Sequence, residues 1–266
     1  IVFKRNAVLW AFYDAGNSVF PLLVTSSFFP VLYHSLLAGE GEFIEFFNFK
    51  VNRFALYSGT ISISYLISLI LALLLGPVAD RYGIRKLILL IFAITGATST
   101  ALLSVFSSKY LEISMIIFGI ASVGYSVSVV FYNSLLPVFF SKEEQNEVSS
   151  LGYSIGYGGS SIIMLLFLLP YLFIEDVYAR EEIIRVSFVV SGIWWITFAI
   201  IPFLKLPSEK PSLIFNVAVM RKVLQTIINN KGLLAFLITF FFYSAGVQSV
   251  MFLAVLFARE TIHIGT

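Results

Sequence analysis

Residues 76–86 read "GPVADRYGIRK", and apolar runs at 54–78 and 87–107 flank them. Each run is long enough for the roughly 20 residues that an α-helix needs to cross the hydrocarbon core of a bilayer. The charged stretch between them is therefore a short connection between two membrane spans, held at one surface. Gly76 and Gly83 permit a tight turn, Asp80 supplies an acceptor, and Arg81, Arg85 and Lys86 place positive charge beside the membrane. A loop that only fixed topology would need the basic residues. It would not need the G-x3-D-R-x-G-x-R-K spacing.

Working outward, five further runs reach span length: 7–37, 111–139, 148–174, 184–204 and 232–258. The chain of 266 residues is 59% hydrophobic and only 12% charged, with a mean hydropathy of +0.94. Soluble domains carry about a quarter charged residues, so bilayer rules govern this one. An all-α polytopic protein of seven spans is expected, since the runs lack the alternation of a membrane barrel. The first run follows Lys4 and Arg5 as a signal peptide would, but it far exceeds an h-region of about 7–15 residues and reads as a retained span. Pro21 and Pro30 are expected to kink it, because each removes a backbone donor.

Loop charge sets the orientation. With the N-terminus cytoplasmic, that side holds Lys4, Arg5, Arg81, Arg85, Lys86, Lys142, Lys205, Lys210, Arg221, Lys222 and Lys231. The opposite side holds Lys50, Arg53, Lys109, Arg180, Arg185 and Arg259, along with the acidic loops "EGEFIEF" and "EDVYAREE". Between the sixth and seventh spans, Leu213, Val217, Met220, Leu224 and Ile227 form one apolar stripe at spacings of four and three. This suits a helix lying on the membrane surface, or a soluble packing helix. Three units follow: 1–204, a six-helix bundle; 205–231, a cytoplasmic linker; and 232–266, the first helix of a second bundle.

Composition also excludes functions. The net charge of +2 is too small to point to a nucleic-acid partner. No Cys is present, so there is no disulfide frame, thiolate metal site or Cys nucleophile, and neither a metal nor a cofactor is expected. The two His, His34 and His263, fall near predicted helix ends. An intramembrane enzyme would need paired acids, a Ser–His pair or a metal set at depth, and this pattern argues against one.

One residue defies the apolar pattern. Asp14, in "LWAFYDAGNSVF" (9–20), is the only Asp, Glu, Lys or Arg well inside a span. At 1.5 Å per residue it lies roughly 13 Å beyond Arg5, and a carboxylate at mid-bilayer costs about 2.5–3.5 kcal/mol on insertion scales. Asp14, Asn17, Ser18, Pro21 and Thr25 share one helical face, which must meet protein or water. Such an acid serves as a proton- or cation-responsive group or an anchor for a substrate amine; a structural, hydrogen-bonded Asp is the alternative. The other mid-span amides follow a period of three spans: Asn17 in the first, Asn133 in the fourth, Gln248 in the seventh. Three-helix repeats with one cavity-lining member each produce that layout, and plain helix–helix hydrogen bonding is the competing account. Ser126 shares a face with Asn133, Tyr13, Tyr132 and Tyr243 flank these groups, and all are candidates to line a path. Gly152, Gly156 and Gly159 form a small-residue stripe for close helix packing, with substrate contact as the lesser reading. Trp194 and Trp195 suggest no role.

The 76–86 spacing resembles the signature loop of the major facilitator superfamily, where acid and base form a breakable latch between two halves of a carrier. The resemblance implies that Asp80 engages a helix of the second half, while Arg81, Arg85 and Lys86 take part in the cytoplasmic gate. "LWAFYDAGNSVF", "FYNSLLPVFF", "EVSSLGYSIGYGGS", "SGIWWITFAIIPFLKLP" and "FFYSAGVQSV" are together similar to the autophagy-related vacuole-effluxer branch in its prokaryotic form. Ala245 stands where that branch often has an acid, and the basic fourth-helix motif of many proton-coupled carriers is not apparent. The resemblance implies twelve spans, so the C-terminal half of the same protein is an expected partner and the chain is expected to be a fragment. It implies secondary transport of a small solute, with amino-acid efflux known in fungal members, coupled to protons or another cation. A lipid or lysolipid flippase and a non-transporting receptor or scaffold are the alternatives. The expected setting is a prokaryotic cytoplasmic membrane, or a vacuolar one in a eukaryote.

Overall fold

A computed structural model describes residues 5–211 and 225–261, with side chains up to residue 250. Among the described residues, seven helical units are long and apolar enough to cross a membrane: Arg5–Glu40, Arg53–Tyr82, Arg85–Val105, Ser108–Phe139, Lys142–Phe173, Val177–Lys205 and Lys231–Val250. The protein is an all-α polytopic membrane protein. The first unit comprises α1 (Arg5–Asn17), a π-helical segment (Phe20–Phe28) and α2 (Phe29–Leu37). Then come α3 (Arg53–Tyr82), α4 (Arg85–Leu102), α5 (Leu111–Phe139), α6 (Lys142–Phe173), α7 (Val177–Lys205) and α8 (Lys231–Thr261).

Local chemistry explains the boundaries. Asn52 Oδ1 accepts from the amides of Phe54 (2.9 Å) and Ala55 (3.3 Å) and starts α3. Ser141 and Glu144 form a reciprocal capping box at α6. Asp176 caps α7 by accepting from Ala179 N–H at 2.7 Å. The helix α3 runs through Gly76, Pro77 and Asp80, so Gly76 belongs to a helix and not to the expected turn. The chain reverses at Gly83 alone, in the left-handed region at φ 64°.

Pro21 and Pro30 stand at the two ends of a π-helical segment. The helix widens between them, and Phe29 N–H bonds Val24 O, five residues back. In that register the acceptor facing Pro30 is Thr25 O, and proline has no N–H to give it. The buried Tyr57 hydroxyl of α3 donates to Thr25 O instead, at 2.8 Å. A side chain from another helix thus completes the ladder that proline breaks.

The segment read as an acidic loop contains a β-hairpin, β1 (Phe43–Phe46) against β2 (Phe49–Asn52), antiparallel with Phe46 opposite Phe49. Phe47 (φ 49°) and Asn48 (φ 65°) make its two-residue turn, the left-handed pair that hairpins favour.

The core is a bundle in which α4 packs on α5 and α7, α1 on α6 and α7, and α3 on α5. Small residues set the closest approaches. A Cβ on Gly124 would fall 2.5 Å from Gly96 Cα, so the backbones of α4 and α5 touch there. Trp195, 1% exposed, fills the space beside Gly96. The last helix, α8, lies against the π segment and α2, and residues 231–250 leave nearly all their surface uncovered. Of the predicted linker stripe, residues 225–229, with Ile227, are helical; Leu213, Val217, Met220 and Leu224 lie outside the described residues.

Candidate functional site

A cavity of about 380 Å³ opens beside Asp14, where α1, α3, α5, α6 and α8 meet. Asp14, Asn17, Tyr132, Asn133 and Gln248 all line it, so residues from the first, fourth and seventh spans come together as their period suggested. Three other candidates do not reach its wall. Tyr13 is 1% exposed and packs behind it against Tyr132, with the rings tilted and their centroids 4.8 Å apart. Ser126 borders a separate small crevice with Pro21 and Tyr125. Tyr243 is exposed on α8. Tyr65, Tyr125, Tyr153 and Tyr157 complete an aromatic lining.

The Asp14 carboxylate is half-buried, and among the described residues none pairs with it or donates a hydrogen bond to it. Among the described residues, no Lys, Arg or His lines the cavity. Its neighbours carry unspent donors. Asn17, whose Oδ1 accepts from Ser18 Oγ at 3.3 Å, keeps Nδ2 without a protein partner, and the Tyr132 hydroxyl is likewise unpartnered. Buried polar atoms are usually satisfied. Here an anion and open donors share one chamber, beside Trp10 and Tyr132 stacked at 4.0 Å. Such a place suits a small polar or cationic guest, because aromatic faces also attract cations.

The fold holds Asp14 there through its neighbours. Gly152 and Gly156 of α6 press on it: a Cβ on Gly152 would lie 3.3 Å from Asp14 Oδ2, and one on Gly156 would lie 3.2 Å from Asp14 Cγ and from its carbonyl oxygen. Gly159 sits on Ala15. The glycine stripe is thus a packing seam, and the seam lies along the acid. From the other side, Trp194 Nε1 donates to Ala15 O at 2.7 Å. That pins α7 to the residue after Asp14, a role no local pattern announced.

A second cluster gathers around the 76–86 stretch. Arg85 pairs with Asp80 at 2.7 Å and with Glu209 at 3.4 Å. The Glu209 carboxylate, 1% exposed, also accepts from the amides of Arg85 (3.2 Å) and Lys86 (2.7 Å), capping α4 from beyond the end of α7. Lys86 Nζ donates to Leu206 O (2.7 Å) and Pro207 O (3.2 Å). Gly83 leaves room for this docking, since a Cβ there would meet Pro211 N at 3.1 Å. Asp80 remains half-exposed, and Arg81 is exposed over the Tyr82 ring. Glu209 escaped the sequence analysis because a cap donated from 123 positions away leaves no local pattern.

Comparisons with known proteins agree with this architecture. The family model described as "Vacuole effluxer Atg22 like" matches residues 3–266. An uncharacterized MFS-type transporter of Bacillus subtilis, YxiO, is 27% identical over 263 residues, covering 94% of this chain and 59% of that protein. An uncharacterized protein of Aquifex aeolicus is 31% identical over 71% of this chain and 44% of its own length. Autophagy-related protein 22 of Vanderwaltozyma polyspora is 25% identical over 73% of this chain and 44% of its own length. The chain thus spans about half the length of the curated relatives it matches. No solved structure matches.

Proposed function

The chain belongs to the Atg22-like vacuole effluxer family, and on that premise we propose that it forms part of a secondary carrier, not an enzyme, that moves a small solute by alternating access. In this reading residues 1–204 form one rocking bundle, 205–231 the cytoplasmic linker, and 232–266 the start of a second bundle that closes the chamber. Asp14 binds the coupling proton or cation, or the amine of the solute, and Asn17, Asn133 and Gln248 line the path. Asp80, Arg81, Arg85 and Lys86 act at the cytoplasmic gate, with Gly83 as its pivot. Amino-acid efflux is the finer proposal, supported by the name of the family and by an anionic chamber suited to an ammonium group.

A single observation carries this reading. The lone mid-span carboxylate has no protein partner among the described residues and faces a chamber that also gathers the amides of the first, fourth and seventh spans. A merely structural acid would be hydrogen-bonded to a neighbouring helix. The test is flux of a radiolabelled amino-acid mixture into proteoliposomes of the full-length protein under imposed proton or sodium gradients. Asp14→Asn should fold and reconstitute normally yet lose gradient-driven accumulation. Accumulation equal to wild type would remove Asp14 from the mechanism.

A further inference from the structure

A second and larger hollow lies away from the Asp14 chamber and shares no lining residue with it. This crevice of about 670 Å³ runs between α3 and α5 over a floor of α4, and the β-hairpin covers one end. We propose that it seats one acyl chain of a phospholipid from the leaflet on the hairpin side. The proposal is independent of the solute path.

Chemistry identifies the occupant as hydrocarbon. The hydroxyls that line the crevice are already committed to backbone carbonyls: Thr60 to Leu56 O (2.8 Å), Ser64 to Thr60 O (2.7 Å) and Gly119 O (3.2 Å), and Thr95 to Ile91 O (2.9 Å). The walls offer a polar solute nothing. What remains is alkyl surface, and Ile63, Ile116 and Ile120 carry it out to the bilayer-facing exterior. The crevice is therefore continuous with the surface that lipid already wets.

Dimensions point the same way. From Ala55 to Ile67 the α3 wall extends about 18 Å at 1.5 Å per residue. Half the hydrocarbon core is about 15 Å, so the crevice is one leaflet deep. Gly59 and Gly119 give the crevice its depth; a Cβ on Gly59 would meet nothing within 4 Å.

The hairpin closes the headgroup end. Phe46 and Phe47 lie over the opening, and Phe47 N–H donates to Glu112 Oε1 of α5 at 3.3 Å, which ties the turn to the crevice wall. Phe43 and Phe49 stand outward, 53% and 73% exposed, as aromatic anchors do at a membrane–water boundary.

The test reconstitutes the full-length protein in vesicles of phosphatidylethanolamine and phosphatidylglycerol, doped with a phospholipid bearing a diazirine midway along one chain. After irradiation, adducts are mapped by mass spectrometry. Adducts on Thr60, Ile63 and Ile120 should exceed those on Val186 and Ile193, exposed residues of α7, by about tenfold, the ratio that a preference of about 1.4 kcal/mol gives. Gly59→Phe fills open space and should lower crevice labelling to the α7 level while the protein stays folded. Even labelling in the wild type, an unlabelled crevice beside labelled α7, or a wild-type pattern in Gly59→Phe would each overturn the proposal.

Discussion

Two glycine-to-alanine changes should move stability in opposite directions. At Gly124 a new Cβ would lie 2.5 Å from Gly96 Cα, 2.6 Å from Gly96 N and 2.8 Å from Phe92 O. All three are backbone atoms of α4, so no rotamer change relieves the clash. Comfortable carbon contacts need about 3.5–4.0 Å, and α4 and α5 must therefore part by roughly 1 Å. Overpacking of this kind costs about 1–3 kcal/mol. At Gly158 of α6 the added Cβ meets nothing within 4 Å. Both changes share the helical gain of alanine over glycine, about 0.5–1 kcal/mol, so the difference between them isolates the packing cost. Thermal denaturation midpoints of the purified protein in detergent should differ by about 2–12 °C, with Gly158→Ala the higher. Equal midpoints, or the reverse order, would refute the close α4–α5 contact and the bundle built on it.

Other perturbations probe the remaining parts. Tyr57→Phe leaves Thr25 O without its donor in the buried π segment and should cost about 1–3 kcal/mol, read from the same denaturation midpoint; an unchanged midpoint would show that the hydroxyl does not complete the ladder. Glu209→Ala removes the acceptor of the first α4 amides, a cap worth about 0.5–2 kcal/mol. Hydrogen exchange at Arg85 and Lys86 should then quicken several-fold, and wild-type rates would show that the linker does not hold this turn. Trp194→Phe should loosen α1 against α7 and lower both stability and gradient-driven flux, measured in the same vesicles; full flux would mean that the contact with Ala15 O does not position the acid.

The parts legible in sequence were those set by solvent. Seven spans follow from apolar length, and the gathering of Asp14, Asn17, Asn133 and Gln248 follows because lipid cannot accommodate their side chains. Features set by distant partners were not legible. Pro21 and Pro30 announced a disturbance, but the donor that completes the π segment, the Tyr57 hydroxyl, reaches Thr25 O from another helix. Glu209 reads as one acid in a polar linker until α4 supplies two amides. The hairpin hid in a short acidic segment because Phe47 and Asn48 lack the glycine that usually marks such a turn. Trp194 and Trp195 suggested no role, and only Gly16, Gly96 and the Ala15 carbonyl opposite them give each a place.

The central claim is that the spans around Asp14 enclose a wet chamber. The chain has no Cys, which allows a direct probe. In membranes, Asn133→Cys and Gln248→Cys should react rapidly with a small charged thiol reagent, while Ile193→Cys on the lipid-facing side of α7 should not. Rates at the two chamber positions as slow as at Ile193→Cys would mean a dry interior, and the carrier mechanism assigned to Asp14 would fail.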